Sequence, residues 1–328
     1  MKKVCIIGVD GQDGSYLADH YLKNNFSVVG IGRRSENLSE NLIAKSNALF
    51  TYKYVDLLNA QALIHTLGEI KADMIIYCAS SHGPSGFDYF KVANETFFIN
   101  THAPHICLNY CRKADGKCSF IYFSSIKVFN NSIHKLVDKD PWLCRQSTDL
   151  YSRSKLIVED SIKFYRRVYG VNAAVIWLSN HESIRRIKSK YFLPNFVTQC
   201  YSALNSQNVK INVNTLDFYC DWGCANQFME IIIDHSKKEL MNDIFIGTGQ
   251  FVLARELVRN FFEKMGYNYN DFVTEKFINK KAATIEKYSF NPEWLPNKKL
   301  QDNLLGPDAV LNKIYKDYTS YHNNKGLW

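Results

Sequence analysis

No stretch of this 328-residue sequence approaches the ~18 consecutive apolar residues that a membrane span requires, and no leader-like segment opens it. Dense Lys/Arg tracts are missing as well. The formal net charge of +8 is spread along the chain, and no nucleic-acid-binding motif accompanies it. Diffuse positive charge of this kind suits an enzyme that handles anionic or phosphorylated substrates. The nine cysteines lack zinc-site spacing. Cys107/Cys111 and Cys220/Cys224 lie four apart, but no histidine set joins either pair, so buried free thiols and no bound metal are expected. Repeats, low-complexity tracts and clear linkers are also lacking. These absences lead to the expectation of a reduced, cytoplasmic protein without a membrane or nucleic-acid partner. Its length allows one large α/β unit with a smaller appendage.

The positive signals begin at Val4. Val4 to Ile7 form an uncharged apolar run suited to one buried parallel strand. Gly8, Gly11 and Gly14 come next at three-residue spacing, enclosing Gln12 and Asp13, and then an amphipathic pattern starts (Tyr16, Leu17, Tyr21, Leu22). Strand, glycine turn and helix N-terminus are what a dinucleotide pyrophosphate needs. The glycines let the backbone approach the phosphates, and the helix end supplies N–H groups and positive potential.

Further segments alternate in the same way. Strands are expected at Ser27–Gly32, Tyr52–Leu57, Asp73–Ala79, Ser119–Ser124 and Ala173–Leu178, with helices over roughly Tyr89–Cys111 and Ser152–Tyr169. The pattern implies a Rossmann-type, doubly wound parallel sheet with right-handed crossovers. Beyond Ser179 it loosens: Pro194–Leu204 reads as a helix, and Val209–Val213 and Asp243–Gly249 as strands. The expected organisation is a dinucleotide-binding domain at 1–178, with strands from about 209–250 joining its sheet. A smaller α/β substrate-binding region at 179–328 is interleaved with it.

The second strand ends in Arg33-Arg34-Ser35, with no Asp or Glu to bind the ribose hydroxyls of NAD. Two arginines at that point favour the extra phosphate of NADP, with NAD the less favoured cofactor. Asp56 is placed to meet the adenine edge. Ser80-Ser81-His82-Gly83-Pro84 lies at the carboxyl end of the fourth strand, where ligands bind in such sheets.

Tyr151 and Lys155 stand four apart at the start of a helix, hence on one face. A neighbouring ammonium lowers a phenol's pKa and makes Tyr151 usable as a general base. Ser125, at the end of the fifth strand, is placed to hydrogen-bond the same substrate hydroxyl.

Taken together, these residues resemble the extended short-chain dehydrogenase/reductase family, and within it the GDP-mannose 4,6-dehydratases. The resemblance is carried by Gly11-Gln12-Asp13-Gly14-Ser15-Tyr16-Leu17-Ala18, Arg33-Arg34-Ser35, and Tyr151 with Lys155. Leu178-Ser179-Asn180-His181-Glu182-Ser183 followed by Arg185-Arg186 adds to it, as do Asp221-Trp222-Gly223 and Gly247-Thr248-Gly249. It covers about residues 3 to 265. It implies a cofactor site lined by Gly8, Gly11, Gln12, Asp13, Gly14, Arg33, Arg34, Asp56, Leu57, Cys78, Ala79, Ser80, Tyr151, Lys155, Leu178, Asn180 and His181. It also implies a nucleotide-diphosphate hexose or heptose, GDP-linked by preference, bound by His82, Ser125, Asn180, Glu182, Arg185 and Arg186. Transient oxidation at the sugar's 4-carbon and assembly into a homodimer or homotetramer are implied as well.

Two departures qualify the resemblance. Dehydratases of the family carry a glutamate two residues after the Ser125 position, which takes the 5-carbon proton in the elimination of water; here it is Lys127, preceded by Ile126. Loss of such a group typically lowers the rate ~10²–10⁴-fold. An oxidoreductase or epimerase outcome is therefore expected in preference to dehydration. The alternatives are a dehydratase with a relocated acid/base (Lys127, His82 or His181) and a non-catalytic regulatory protein that binds the cofactor. The second departure lies near the substrate phosphates. Cys220 stands where the family has arginine before Asp-Trp-Gly, and Lys280, Lys281 and Lys287 occupy the region of a missing Arg-Pro-x-Glu-Val segment.

Overall fold

A computed structural model describes residues 1–33, 46–84, 87–129, 145, 147, 149–206, 209–276 and 303–325. Two compact units result. The first comprises Met1–Leu178 and Asn226–Ile246; the second comprises Ser179–Ala225 and the described residues from Gly247 onward.

In the first unit, strands β1 (Lys3–Ile7), β2 (Ser27–Gly32), β3 (Phe50–Tyr54), β4 (Met74–Tyr77), β5 (Ser119–Ser125) and β6 (Ala173–Leu178) succeed one another in chain order, and Ile244–Ile246 is added later. They form one seven-stranded sheet in the order Ile244–Ile246, β6, β5, β4, β1, β2, β3. Every pair is parallel. Helices α1 (Gln12–Lys23), α2 (Ala60–Ile70), α3 (Ala93–Phe97), α4 (Ala103–Lys113) and α5 (Leu150–Tyr169) connect the strands, as the doubly wound expectation requires. Apart from Lys3 at the start of β1, the central strands are uncharged and covered on both faces: Ile6, Ile7, Ile75, Ile76, Ile121 and Val175 are completely buried.

Three local expectations need correction. The third strand ends at Tyr54 rather than Leu57. Asp56 Oδ1 accepts the Leu58 N–H at 3.0 Å, and Asn59 caps α2, so the chain turns there. The long helix expected over Tyr89–Cys111 is broken into a 3₁₀ turn (Tyr89–Val92), α3, a π-helical turn (Phe98–His102) and α4. Pro104 has no N–H to return to the Asn100 carbonyl, and the Tyr122 hydroxyl takes that role at 3.3 Å. The Tyr77 hydroxyl similarly donates to the Ile99 carbonyl. Finally, of the strands expected between 209 and 250, only Ile244–Ile246 joins the large sheet. The 209–213 segment supplies Ile211–Val213, which pairs with Val273–Glu275 instead. Apolar alternation marks a strand without naming its partner.

The second unit is built on β7 (Asn180–Glu182), α6 (Phe192–Asn205), β8 (Ile211–Val213), β9 (Tyr219–Cys220) and β10 (Trp222–Cys224). Helices at Ala254–Lys264 and Pro307–Lys325 complete it. Phe196, Trp222, Phe261, Phe262, Val310 and Leu311 form its core. The cysteines of the described residues are free thiols, all buried except the half-buried Cys78. Among those residues, no helix is long and apolar enough to cross a membrane.

Candidate functional site

The turn after β1 is held at backbone contact. Gly8 has a φ of +97° and donates its N–H to the Ile31 carbonyl at 2.9 Å; the Gly11 N–H donates to the Gly8 carbonyl at 3.0 Å. A Cβ on Gly14 would lie 2.3 Å from the Gly8 oxygen and 2.6 Å from the Val9 Cα. Gly11 is the N-cap of α1 and offers no side-chain acceptor to the first-turn amides, which include those of Gln12, Asp13 and Gly14. A bound pyrophosphate would supply those acceptors. These features fit a dinucleotide.

At the end of β2 the structure shows a residue that sequence reasoning missed. Asp10 Oδ2 accepts the Arg33 N–H at 3.2 Å and the Tyr52 hydroxyl at 2.7 Å. Its Oδ1 is buried and has no hydrogen-bond partner among the described residues. The Arg33 guanidinium lies 3.6 Å from Glu95, and both side chains are exposed. Arg34 and Ser35 lie outside the described residues, as do Lys280, Lys281 and Lys287.

Beyond β4, the Cys78 and Ala79 N–H groups both donate to the Ile7 carbonyl, at 3.0 and 2.9 Å. This pins their segment beside the glycine turn. Asn100, buried in the π turn, orders Ser80 and Ser81. Its Oδ1 accepts the Ser80 hydroxyl at 3.2 Å and the Ser81 N–H at 2.8 Å; its Nδ2 donates to the Ser81 carbonyl at 3.0 Å and to Ser154 Oγ at 3.3 Å. The Ser80–Ser81 segment is thereby tied to α5. Asp56 and Leu57 sit in the turn after β3.

Helix α5 starts at a capping box made by Asp149 and Ser152, which fixes Tyr151 and Lys155 in its first turns. Both are buried. Lys155 Nζ donates to the Phe123 carbonyl at 2.9 Å and lies 4.8 Å from the Tyr122 ring centre and 5.6 Å from that of Tyr151. Burial pulls its pKa down to about 8, against the upward pull of the Glu159 carboxylate. Lys127, on the turn after β5, places its ammonium 5.7 Å from the Tyr151 ring centre. Two cations thus lie near one aromatic ring. His82 stacks on the same ring at 4.1 Å, with its Nδ1 hydrogen-bonded to the Tyr89 hydroxyl. Ser125 Oγ accepts the Lys127 N–H at 3.2 Å.

Glu159, one helical turn beyond Lys155, is fully buried and was not singled out from the sequence. The Ser124 hydroxyl, the Trp177 indole N–H (3.1 Å) and Arg145 (3.0 Å) all donate to its carboxylate. Burial raises its pKa, and these donors oppose the rise. The available signal was an acidic residue continuing the i, i+4, i+8 row of Tyr151 and Lys155.

Leu178 closes β6, and the remaining predicted residues belong to the second unit. His181 Nδ1 lies 2.7 Å from the Ser179 carbonyl oxygen, and Glu182, buried, lies 3.6 Å from Arg186. Asn180 pairs with Trp222, and Arg185 lies on the 3₁₀ turn Ile184–Arg186. Asp221 accepts the N–H groups of Thr248 and Gly249 at 2.9 and 3.2 Å, and burial raises its pKa to about 6. Cys220 is buried in β9.

Residues 5–301 match the family described as GDP-mannose 4,6 dehydratase. The chain belongs to that family. Its relatives include the GDP-mannose 4,6-dehydratase of Yersinia enterocolitica, 29% identical over 277 residues, which cover 79% of this chain and 71% of that protein. The human GDP-mannose 4,6 dehydratase is 27% identical, over 80% of this chain and 72% of that protein. Solved structures of the same fold include a dTDP-glucose 4,6-dehydratase from Bacillus anthracis in complex with NAD, with a TM-score of 0.72, 15% identity, and coverage of 100% of this chain and 99% of that one. A UDP-glucose 4-epimerase from Brucella ovis in complex with NAD has a TM-score of 0.70, 15% identity and coverage of 96% of each chain. This GDP-mannose 4,6-dehydratase family member thus has the Rossmann-type fold of the nucleotide-sugar epimerases and dehydratases.

Proposed function

We propose that the chain binds a nicotinamide dinucleotide on the Gly8–Gly14 turn and oxidises a nucleotide-activated sugar, GDP-linked by preference, at its 4-carbon. The observation that carries this reading is the approach of two ammonium groups to the Tyr151 ring, Lys155 at 5.6 Å and Lys127 at 5.7 Å from its centre. When bound, the nicotinamide supplies the hydride acceptor. Tyr151 takes the proton of the 4-hydroxyl while the C–H electron pair leaves with the hydride, and the carbon becomes a ketone. Two positive charges near the phenol favour the phenolate this step requires. Ser125 Oγ accepts the Lys127 N–H, which leaves its own proton for the substrate oxygen.

The elimination step lacks its usual acid/base. Lys127 occupies the glutamate position, and its ammonium faces the Tyr151 ring, where it acts on the phenol and not as a base for the 5-carbon proton. Oxidation, or oxidation followed by reduction from the opposite face, is the resulting outcome. For the cofactor, Arg33 at the end of β2 favours NADP, and Asp10 opposes it. Exposed Phe97, Phe98, Phe164 and Tyr169 on the helical surface of the first unit support a homo-oligomer.

The test is product mass and stereochemistry after incubation with GDP-mannose, GDP-heptose and other nucleotide sugars, with either dinucleotide. Loss of two hydrogens, or unchanged mass with inverted configuration by NMR, is expected. Loss of one water would move the elimination base to His82 or His181. Cofactor binding without turnover on any sugar would leave a regulatory role.

A further inference from the structure

We infer that Tyr89 is a positioning residue for the general base: by its hydrogen bond to His82 it holds the imidazole flat against the Tyr151 ring, which sets how the phenol meets the 4-hydroxyl. The inference rests on Tyr151 acting as that base. Three rings lie near parallel. Those of His82 and Tyr151 are 4.1 Å apart with 23° between their planes, and those of Tyr89 and His82 are 6.1 Å apart and 11° from parallel. The Tyr89 hydroxyl is bonded to His82 Nδ1. Stacking alone would be served by phenylalanine at either position. What histidine and tyrosine add is the bond. A hydroxyl can donate to Nδ1 or accept from it, so the bond survives either protonation state of the imidazole. Both residues are half-buried, beyond the end of β4 and on the 3₁₀ turn Tyr89–Val92, so neither fills the core of the unit.

The bonded pair is anchored at both ends. Before His82, Asn100 holds Ser80 and Ser81, and Ser81 Oγ lies 3.2 Å from Thr96 Oγ1. After it, the Phe87 ring meets the Tyr89 ring edge-on at 4.9 Å. Phe87 occupies the space over Gly83, where a Cβ would lie 2.1 Å from that ring. Asp88 caps the turn that carries Tyr89. This matters because a general base must keep its oxygen within hydrogen-bond reach of the proton it removes. A misplacement of about 1 Å can lower a rate ~10²-fold. The capping box fixes the backbone of Tyr151; the imidazole lying against the ring restrains its rotation about the side-chain bonds.

The experiment is a double-mutant cycle in the full-length protein with Tyr89→Phe, His82→Phe and the two combined. Phenylalanine keeps each ring and removes the bond. On the nucleotide sugar that the product assay identifies, each single variant should lower kcat at least ~10-fold with KM within ~3-fold. The double variant should lose no more than either single one, because one bond can be broken only once. Unfolding midpoints should stay within about 2 °C of the wild type. Ring order is read without substrate, from the Tyr151 signals of ¹³C-tyrosine-labelled protein, assigned by their loss in Tyr151→Phe. The order parameter should be about 0.85 in the wild type and at least ~0.15 lower in all three variants. Unchanged kcat in Tyr89→Phe, losses that multiply in the double variant, an unchanged order parameter, or a midpoint lowered by more than ~5 °C would each overturn the inference. If the wild type turns over no sugar while ring order falls as expected, the proposed reaction fails and the anchoring of Tyr151 stands.

Discussion

Replacing Lys155 with methionine should stabilise the ligand-free protein while abolishing turnover. The ammonium is buried, and burial lowers its pKa from an ordinary 10.5 to about 8. At pH 7 the group is charged in both the folded and unfolded chain, and that difference corresponds to about 3 kcal/mol of penalty on the folded side. Against this stand the hydrogen bond to the Phe123 carbonyl and the approach to the Tyr122 ring, worth about 1 kcal/mol or a little more together. Methionine keeps most of the apolar stem. The net gain is therefore about 1–2 kcal/mol, a rise of roughly 1.5–3 °C in unfolding midpoint.

The pH dependence fixes the sign. Below pH 8 the penalty is fully present in the wild type; between 8 and 10.5 the folded lysine loses its proton before the unfolded one, and wild-type stability recovers. The advantage of Lys155→Met should thus be largest at about pH 6.5–7.5 and shrink as the pH rises through 8 toward 10. Thermal unfolding of both proteins across that range is the assay. A variant less stable than wild type at pH 7, or a difference that does not change with pH, would refute the argument that burial dominates at Lys155.

Three further outcomes are expected from the same geometry. Tyr151→Phe should lower the turnover of any accepted sugar by ~10²–10⁴-fold while leaving dinucleotide affinity within a few-fold, measured by single-turnover kinetics and calorimetry. Glu159→Gln should destabilise the protein by about 1–2 kcal/mol, because Arg145 loses its buried partner but keeps Asp160 at 2.7 Å. It should also move the alkaline limb of the kcat/KM profile to lower pH, because Lys155 loses its main upward influence. Gly14→Ala brings a methyl to 2.3 Å from the Gly8 oxygen. Backbone at both ends of that contact cannot yield cheaply, so dinucleotide affinity should fall at least ~10-fold in a direct titration, with stability reduced by about 1–3 kcal/mol.

The sequence by itself determined what is local. Short uncharged runs become buried parallel strands because they are too short for a helix and a parallel sheet covers both of their faces. Gly8, Gly11 and Gly14 mark the turn because only glycine permits the +97° φ at Gly8 and the close approach at Gly14. Tyr151 and Lys155 share a face because helical periodicity puts them there. Tertiary structure alone decided the rest. Asp10 is tied to the end of β2 by the Arg33 N–H and by Tyr52, far along the chain. Glu159 becomes part of the site through Ser124, Trp177 and Arg145, and His82 through its stacking on Tyr151. The break at Phe98–His102 needs Pro104 for its origin but Tyr122 for its compensation. Ile211–Val213 finds its partner in Val273–Glu275 rather than in the large sheet. The division has one physical cause. Backbone geometry and side-chain periodicity act over a few residues and can be read in order, whereas a buried polar atom finds its partner only when packing brings distant segments together.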